Sequence, residues 1–374
     1  MKAPFPHDIR AVLTAGGKGL ALKKIFAGTF FLLIGYVIYT AFTYLALLYD
    51  SVSFEYIWQS YGAFPFRIYP FDTVIGSIIQ VLGVVFAVLA LSSGIMAGAV
   101  INFEEIRGNY FFSAFDAIKF TLSRFSTMIL GYISVGAFVG LIYLLGFLIG
   151  LISRVPFMGE FLVGLFYLVP VFVTLIFVVF IFFAVCVSVF LFPVTIAAGR
   201  EKELFGPLLH MFSVLIKEPL RFFWYLALIF IQAKVYSFIM AYLFYRTIQL
   251  SQFILYTGGG EKITRMFASA VNSLPTDSTL VKFVLNIFPG VDFGFGFSRW
   301  SPAGDPSLGS MFLAISFFIL FVFILGYGLS VISSGLARGY AVIRRMKDDY
   351  FITEEDPLIN LNDYANPPID DDEK

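Results

Sequence analysis

The side chains able to do chemistry in this chain are few, and they stand scattered through long apolar runs. Lys234 is the most prominent, a cation in the fifth run, with Gln232 beside it and Gln80 in the second run as the polar groups that could answer it. An ammonium in such a place could hold an anion, either a lipid phosphate or a small anionic solute, where water screens charge weakly. Measured from an inner boundary near Phe222, Lys234 stands about 18 Å into a hydrocarbon core of roughly 30 Å. A lysine inserted that deeply costs about 2.5–3.5 kcal/mol, so a polar partner is expected. Gln232 falls on a different helix face, whereas Gln80 lies at a similar depth. Three readings are open: a functional anion site or ion pathway, a structural polar clamp, or a shifted helix that brings the amine to the outer interface.

The remaining inventory excludes most chemistry. His7 and His210 both fall outside the apolar runs, so no haem or pigment ligand is expected. Cys186 is the sole cysteine and reads as a small buried apolar side chain, with no disulfide framework and no thiolate metal site. No Asp or Glu is placed inside a span, as coupled carriers require. Nor is there the paired acid, Ser/His pair or metal set of an intramembrane protease. The stretch Gly258-Gly259-Gly260-Glu261-Lys262 lacks the spacing of a phosphate loop. The expectation is a protein that is not an enzyme, with no metal, no cofactor and no nucleic-acid partner.

The elements that must position Lys234 are helices of a membrane protein. The chain has 374 residues, 59% of them hydrophobic and 13% charged, against roughly 25% charged in a soluble domain. Apolar runs at 26–48, 73–101, 126–153, 171–198, 222–246 and 310–335 each reach the ~20 residues that a spanning helix needs. Basic residues gather between alternate spans. Arg107, Lys119 and Arg124 lie in one such connection, and Arg200, Lys202, Lys217 and Arg221 in another. Lys2, Arg10, Lys18, Lys23 and Lys24 precede the first span, and Arg338, Arg344, Arg345 and Lys347 end the last. This asymmetry predicts both termini in the cytoplasm, and the lack of any Asn-x-Ser/Thr sequon is compatible with a bacterial inner membrane, the expected location.

The chain also repeats itself. Arg124-Phe125 opens the third span and Arg221-Phe222 the fifth, while Ser92-Ser93-Gly94 leaves the second and Ser333-Ser334-Gly335 leaves the sixth. These matches read as three degenerate units, each an interfacial elbow helix followed by two spans. In 103–124, Phe111, Phe112, Phe115, Ile118 and Leu122 form a helical stripe suited to a surface helix with its charges in water. In 200–220, Leu204, Leu208, Phe212 and Leu215 repeat the pattern, and 7–24 is a looser, glycine-containing version. Small residues at four-residue spacing, Gly94/Gly98, Gly136/Gly140 and Gly146/Gly150, predict close helix packing with the third span at the centre of the bundle. They could instead line a groove.

The predicted organisation is an elbow and five spans over 1–246, an extracytoplasmic loop or subdomain at 247–309, the sixth span with a basic end over 310–348, and an acidic disordered tail at 349–374. Within the loop, helices are expected at 261–273 and 278–288, then a Pro289-Gly290 turn and an aromatic strip of Phe293, Phe295, Phe297 and Trp300. The elbow, Pro193, the segment to Pro219 and the Ser333-Ser334-Gly335 exit followed by Tyr340 and a basic stretch resemble bacterial six-span membrane proteins. They are similar also to the membrane domain attached to some glycerophosphodiester phosphodiesterases. The resemblance covers most of 20–348 and implies no catalysis, because the phosphodiesterase domain is missing. The expected function is a scaffold subunit that binds membrane lipids and partner membrane proteins, through 247–309 or the bundle. The alternative is a transporter or channel for a lipid or small anionic solute, working through Lys234.

Overall fold

In hydrocarbon every backbone N–H and C=O must be satisfied within the segment, so apolar runs of this length become helices. The computed structural model describes residues 5–6, 8–61, 65, 71–152, 154–155, 158–165, 167, 172–199, 205–274, 279–290 and 307–354. Two short helices, α1 (Ile9–Leu13) and α2 (Ala15–Gly19), lead into α3 (Leu22–Tyr49), α4 (Phe54–Tyr61) and α5 (Val74–Arg107). Then come α6 (Ala114–Ser123), α7 (Phe125–Ile152), α8 (Met158–Leu165) and α9 (Val173–Ala198). The last group is α10 (Phe205–Lys217), α11 (Pro219–Gly259), α12 (Glu261–Asn272), α13 (Thr279–Ile287) and α14 (Leu308–Asp348). Six of these, α3, α5, α7, α9, α11 and α14, are long and apolar enough to cross a membrane. The protein is an all-α, multi-pass membrane protein. The order of short helix, long helix, short helix, long helix recurs three times, as three degenerate units would give.

Helix ends are set by local chemistry. The Thr73 hydroxyl accepts from the Gly76 amide to start α5, and Gly108, at φ 99°, ends it in the left-handed region that favours glycine. Ser113 and Asp116 form a capping box at the start of α6. Pro219 opens α11, where its missing N–H costs nothing, so the preceding helix stops where the sequence predicts.

The helices share one polarity of ends. At one end α3 begins and α5, α9 and α14 finish; Lys24, Arg107 and Arg338 lie there, and it is called the basic end below. The core sits in this half. Residues 327–343 of α14 and 92–104 of α5 are buried around their whole circumference. Toward the far end the same helices expose apolar side chains, such as Val74 and Ile75 of α5 and Phe312 and Ile315 of α14.

Cys186, expected to be buried, is exposed on α9, and four larger expectations change. First, the third span is not central: α7 lies at the edge, and a Cβ added at Gly136, Gly140, Gly146 or Gly150 would meet nothing within 4 Å. Gly94 and Gly98 do pack closely, against Leu329 and Ser333 of α14. Helices with both lipid-facing and buried sides apolar hide which side is which, and that is why the glycine spacing misled.

Second, the segment 7–24 is no surface elbow. Ala11, Val12 and Ala15 are fully buried, because α1 and α2 wedge between α11 and α14. A Cβ at Gly16 would sit 1.9 Å from the Tyr236 ring, and one at Gly19 would sit 2.9 Å from the Val331 backbone. Glycine is what allows this approach.

Third, the stripe in 103–124 is split. α5 runs on to Arg107, and Phe112 and Ile118 turn into the core while Phe111 (98% exposed), Phe115 and Leu122 face outward.

Fourth, α11 has 41 residues and a length of about 60 Å, twice the hydrocarbon thickness. It continues to Gly259, so 247–259 is helix and not loop. The two helices expected after it are present as α12 and α13, and the Pro289-Gly290 turn follows with Gly290 at φ 93°. The aromatic strip from Phe293 to Trp300 lies outside the described residues. The start of the predicted tail is docked: Ile352 is buried in the core, and Tyr350 and Phe351 lie under the Arg344 and Arg345 guanidiniums.

Candidate functional site

The helix register locates Lys234. Ile229 of α11 packs at Gly335 of α14, Ser237 at Gly328, and the Phe244 ring stacks on Phe323. Lys234 therefore stands opposite residues near 331. On the other side of α14, Val331 meets Gly19, and Gly326 meets Gly28 of α3. Lys234 is thus level with the first turn of α3, where Lys23 and Lys24 lie. The first four turns of α11 precede Lys234, which stands near the middle of the 41-residue helix.

The three polar residues singled out in sequence are not brought together. Gln80 donates to the Tyr39 hydroxyl of α3 at 3.4 Å. Gln232 holds the wedge, accepting from the Gly16 amide at 3.3 Å and donating to the Val12 carbonyl at 3.2 Å. Lys234 is exposed, on the opposite face of α11 from Gln232, with exposed Ile231, Val235 and Phe238 around it. Among the described residues no carboxylate pairs with it.

A second polar group, which sequence reasoning missed, lies inside the basic end. Lys24 is fully buried, and its ammonium donates to Asn102 Oδ1 at 2.8 Å, Glu105 Oε2 at 2.7 Å and the Lys18 carbonyl at 3.1 Å. All three of its protons are thereby used. Lys23 reaches the other Glu105 oxygen at 3.1 Å, and Asn102 donates onward to Ser334 Oγ at 2.9 Å. Beside this, Arg107 pairs with Glu104 at 2.8 Å and donates to the Ala198 carbonyl, while Arg338 donates to Thr14 Oγ1 at 3.1 Å. The network ties α2, α3, α5, α9 and α14 together. Buried charges persist only when paired, and this set is paired throughout its centre. The signal that could have found it is the i, i+3 pair Asn102 and Glu105 at the end of the second apolar run.

The basic residues predicted to mark an interface have mixed fates. Arg107 and Arg124 are buried, the latter over the Phe120 ring, whereas Lys119, Lys217 and Arg221 are exposed. Arg200 and Lys202 lie outside the described residues.

Outside the spans, His210 of α10 faces the end of α14, its Nε2 at 3.4 Å from the Arg344 guanidinium, and Lys347 donates to Ser213 Oγ at 2.6 Å. Burial first, then the Arg344 and Lys347 charges, hold the His210 imidazole below its ordinary value, with Asp348 opposing. Comparisons with protein-family models, with curated proteins and with solved structures gave no match to this chain.

Proposed function

We propose that this protein is a non-enzymatic scaffold subunit that binds lipid and partner membrane proteins within a larger complex. Its place is the bacterial inner membrane, with both termini on the cytoplasmic side, as the basic residues at one end of the bundle favour. The observation that carries the reading is α7. This helix touches its own chain mainly along one edge of α9, exposes Leu141, Tyr143, Leu144 and Phe147, and leaves space for a Cβ at Gly136, Gly140 and Gly146. Small residues on a membrane helix let a second backbone approach closely. Among the described residues no helix takes that place, which favours a helix of a partner as its occupant.

The transporter reading needs Lys234 in a polar passage, and its position on the exposed side of α11 among apolar side chains supports the scaffold instead. The resemblance to six-span bacterial proteins and to the phosphodiesterase membrane domain belongs to the same proposal. A photo-crosslinking residue at Tyr143, 76% exposed on α7, tests the reading in whole cells. The expected product is one discrete adduct with a membrane protein. Adducts with lipid alone would contradict it.

A further inference from the structure

After α11 the chain turns back along the bundle. Met266 of α12 lies at Gly309 of α14, and the Phe267 ring sits 5.8 Å from Phe317. Further on, the Phe288 ring meets Gly328, where an added Cβ would lie 2.5 Å from its edge. After α12, which lies against α11 and α14, the chain at Phe288 and Gly290 meets α14 and α11 again, almost at the level of the first turn of α3. This return has the form of a re-entrant segment.

This descent ends on Lys234. A Cβ at Gly290 would lie 3.6 Å from Lys234 Cε and 3.8 Å from the Phe238 ring, so the turn rests against the end of the lysine side chain while Lys234 stays exposed. The Gly290 amide donates to the Leu285 carbonyl at 2.8 Å, which fixes the turn. The amine so placed has three properties together. It carries a charge that no described carboxylate answers. It emerges among side chains that face lipid. It stands at the level of the first turn of α3, at the basic end that the distribution of Lys and Arg sets toward the cytoplasmic headgroups.

We infer that Lys234, propped by the re-entrant turn, binds the phosphate of an anionic phospholipid in the leaflet at the basic end, with Ile231, Val235 and Phe238 against its acyl chains. The inference deepens the lipid-binding part of the proposed function and rests on it. A lone ammonium at an anionic lipid surface changes occupancy by about fivefold.

The test uses the full-length protein in mild detergent with phosphatidylglycerol or phosphatidylcholine added at equal concentration, and native mass spectrometry to count retained lipid. Wild type is expected to retain phosphatidylglycerol over phosphatidylcholine. Lys234→Met and Lys234→Gln should each lower phosphatidylglycerol retention about fivefold, to the phosphatidylcholine level, while Lys234→Arg keeps it. Lys262→Met, at an exposed lysine of α12 at the far end, should change nothing. An unchanged lipid preference in both the Met and Gln variants would overturn the inference. Displacement of phosphatidylglycerol by excess inorganic phosphate would also overturn it, by making the ligand a free phosphate. The scaffold reading is scored separately, by partner adducts at Tyr143, so either can fail alone.

Discussion

Gly98 and Gly140 look alike in sequence, each a glycine four residues after another glycine in an apolar span, yet they serve opposite surroundings. Gly98 lies where α5 presses on α14, with the Ser333 hydroxyl filling the space a side chain would need. Gly140 lies on α7 with nothing near it. Around the first, the basic end is closed by buried ion pairs; around the second, the helix stands apart from its own bundle. Glycine spacing therefore says that a helix can be approached, and not by what. One region is finished within the chain; the other is the face that the proposed function assigns to a partner.

The sharpest way to break this contrast is to attack the closed region. Glu105→Leu leaves the Lys23 and Lys24 ammoniums without their carboxylate, and removing one side of a buried pair costs about 3–5 kcal/mol. Thermal unfolding in detergent should show the largest loss of any single substitution considered. A midpoint near wild type would mean that the network adds nothing. Next in size is Gly98→Leu, where overpacking against Ser333 should cost about 2–3 kcal/mol in the same measurement.

A smaller effect comes from the rim of the closed region. His210 has its ordinary value near 6.5 when unfolded and a lowered one in the native protein, so the native state binds fewer protons. Stability is unaffected above about pH 6.5 and falls as pH drops below it, until the native imidazole also titrates. The unfolding midpoint should decline between pH 7 and 5, and more shallowly in His210→Gln. Equal slopes would remove His210 from the account.

What the sequence disclosed follows the same division. The six spans were legible because hydrocarbon demands about 20 apolar residues regardless of neighbours. α12, α13 and the Pro289-Gly290 turn were legible because charge, periodicity and turn chemistry are local. The centre of the bundle was not, since lipid and protein neighbours are equally apolar and leave no periodic trace. The wedge of α1 and α2 was hidden for another reason. Its glycines signal a loose connection until Tyr236 and Val331 are seen against them. Lys234 was visible as a residue but not as a position, because its level is set by where along the 41-residue α11 it meets α14.

The open region has the smallest expected effect on stability and the most direct bearing on the account. Gly140→Leu should leave the unfolding midpoint of the isolated protein unchanged, because the added side chain meets open space. In a mild-detergent extract, the mass of the complex that carries the protein should fall to that of the chain with its bound lipid, whereas wild type keeps its partner. A complex of unchanged mass, or a variant whose own midpoint drops as far as that of Gly98→Leu, would contradict the claim that α7 is completed by another protein.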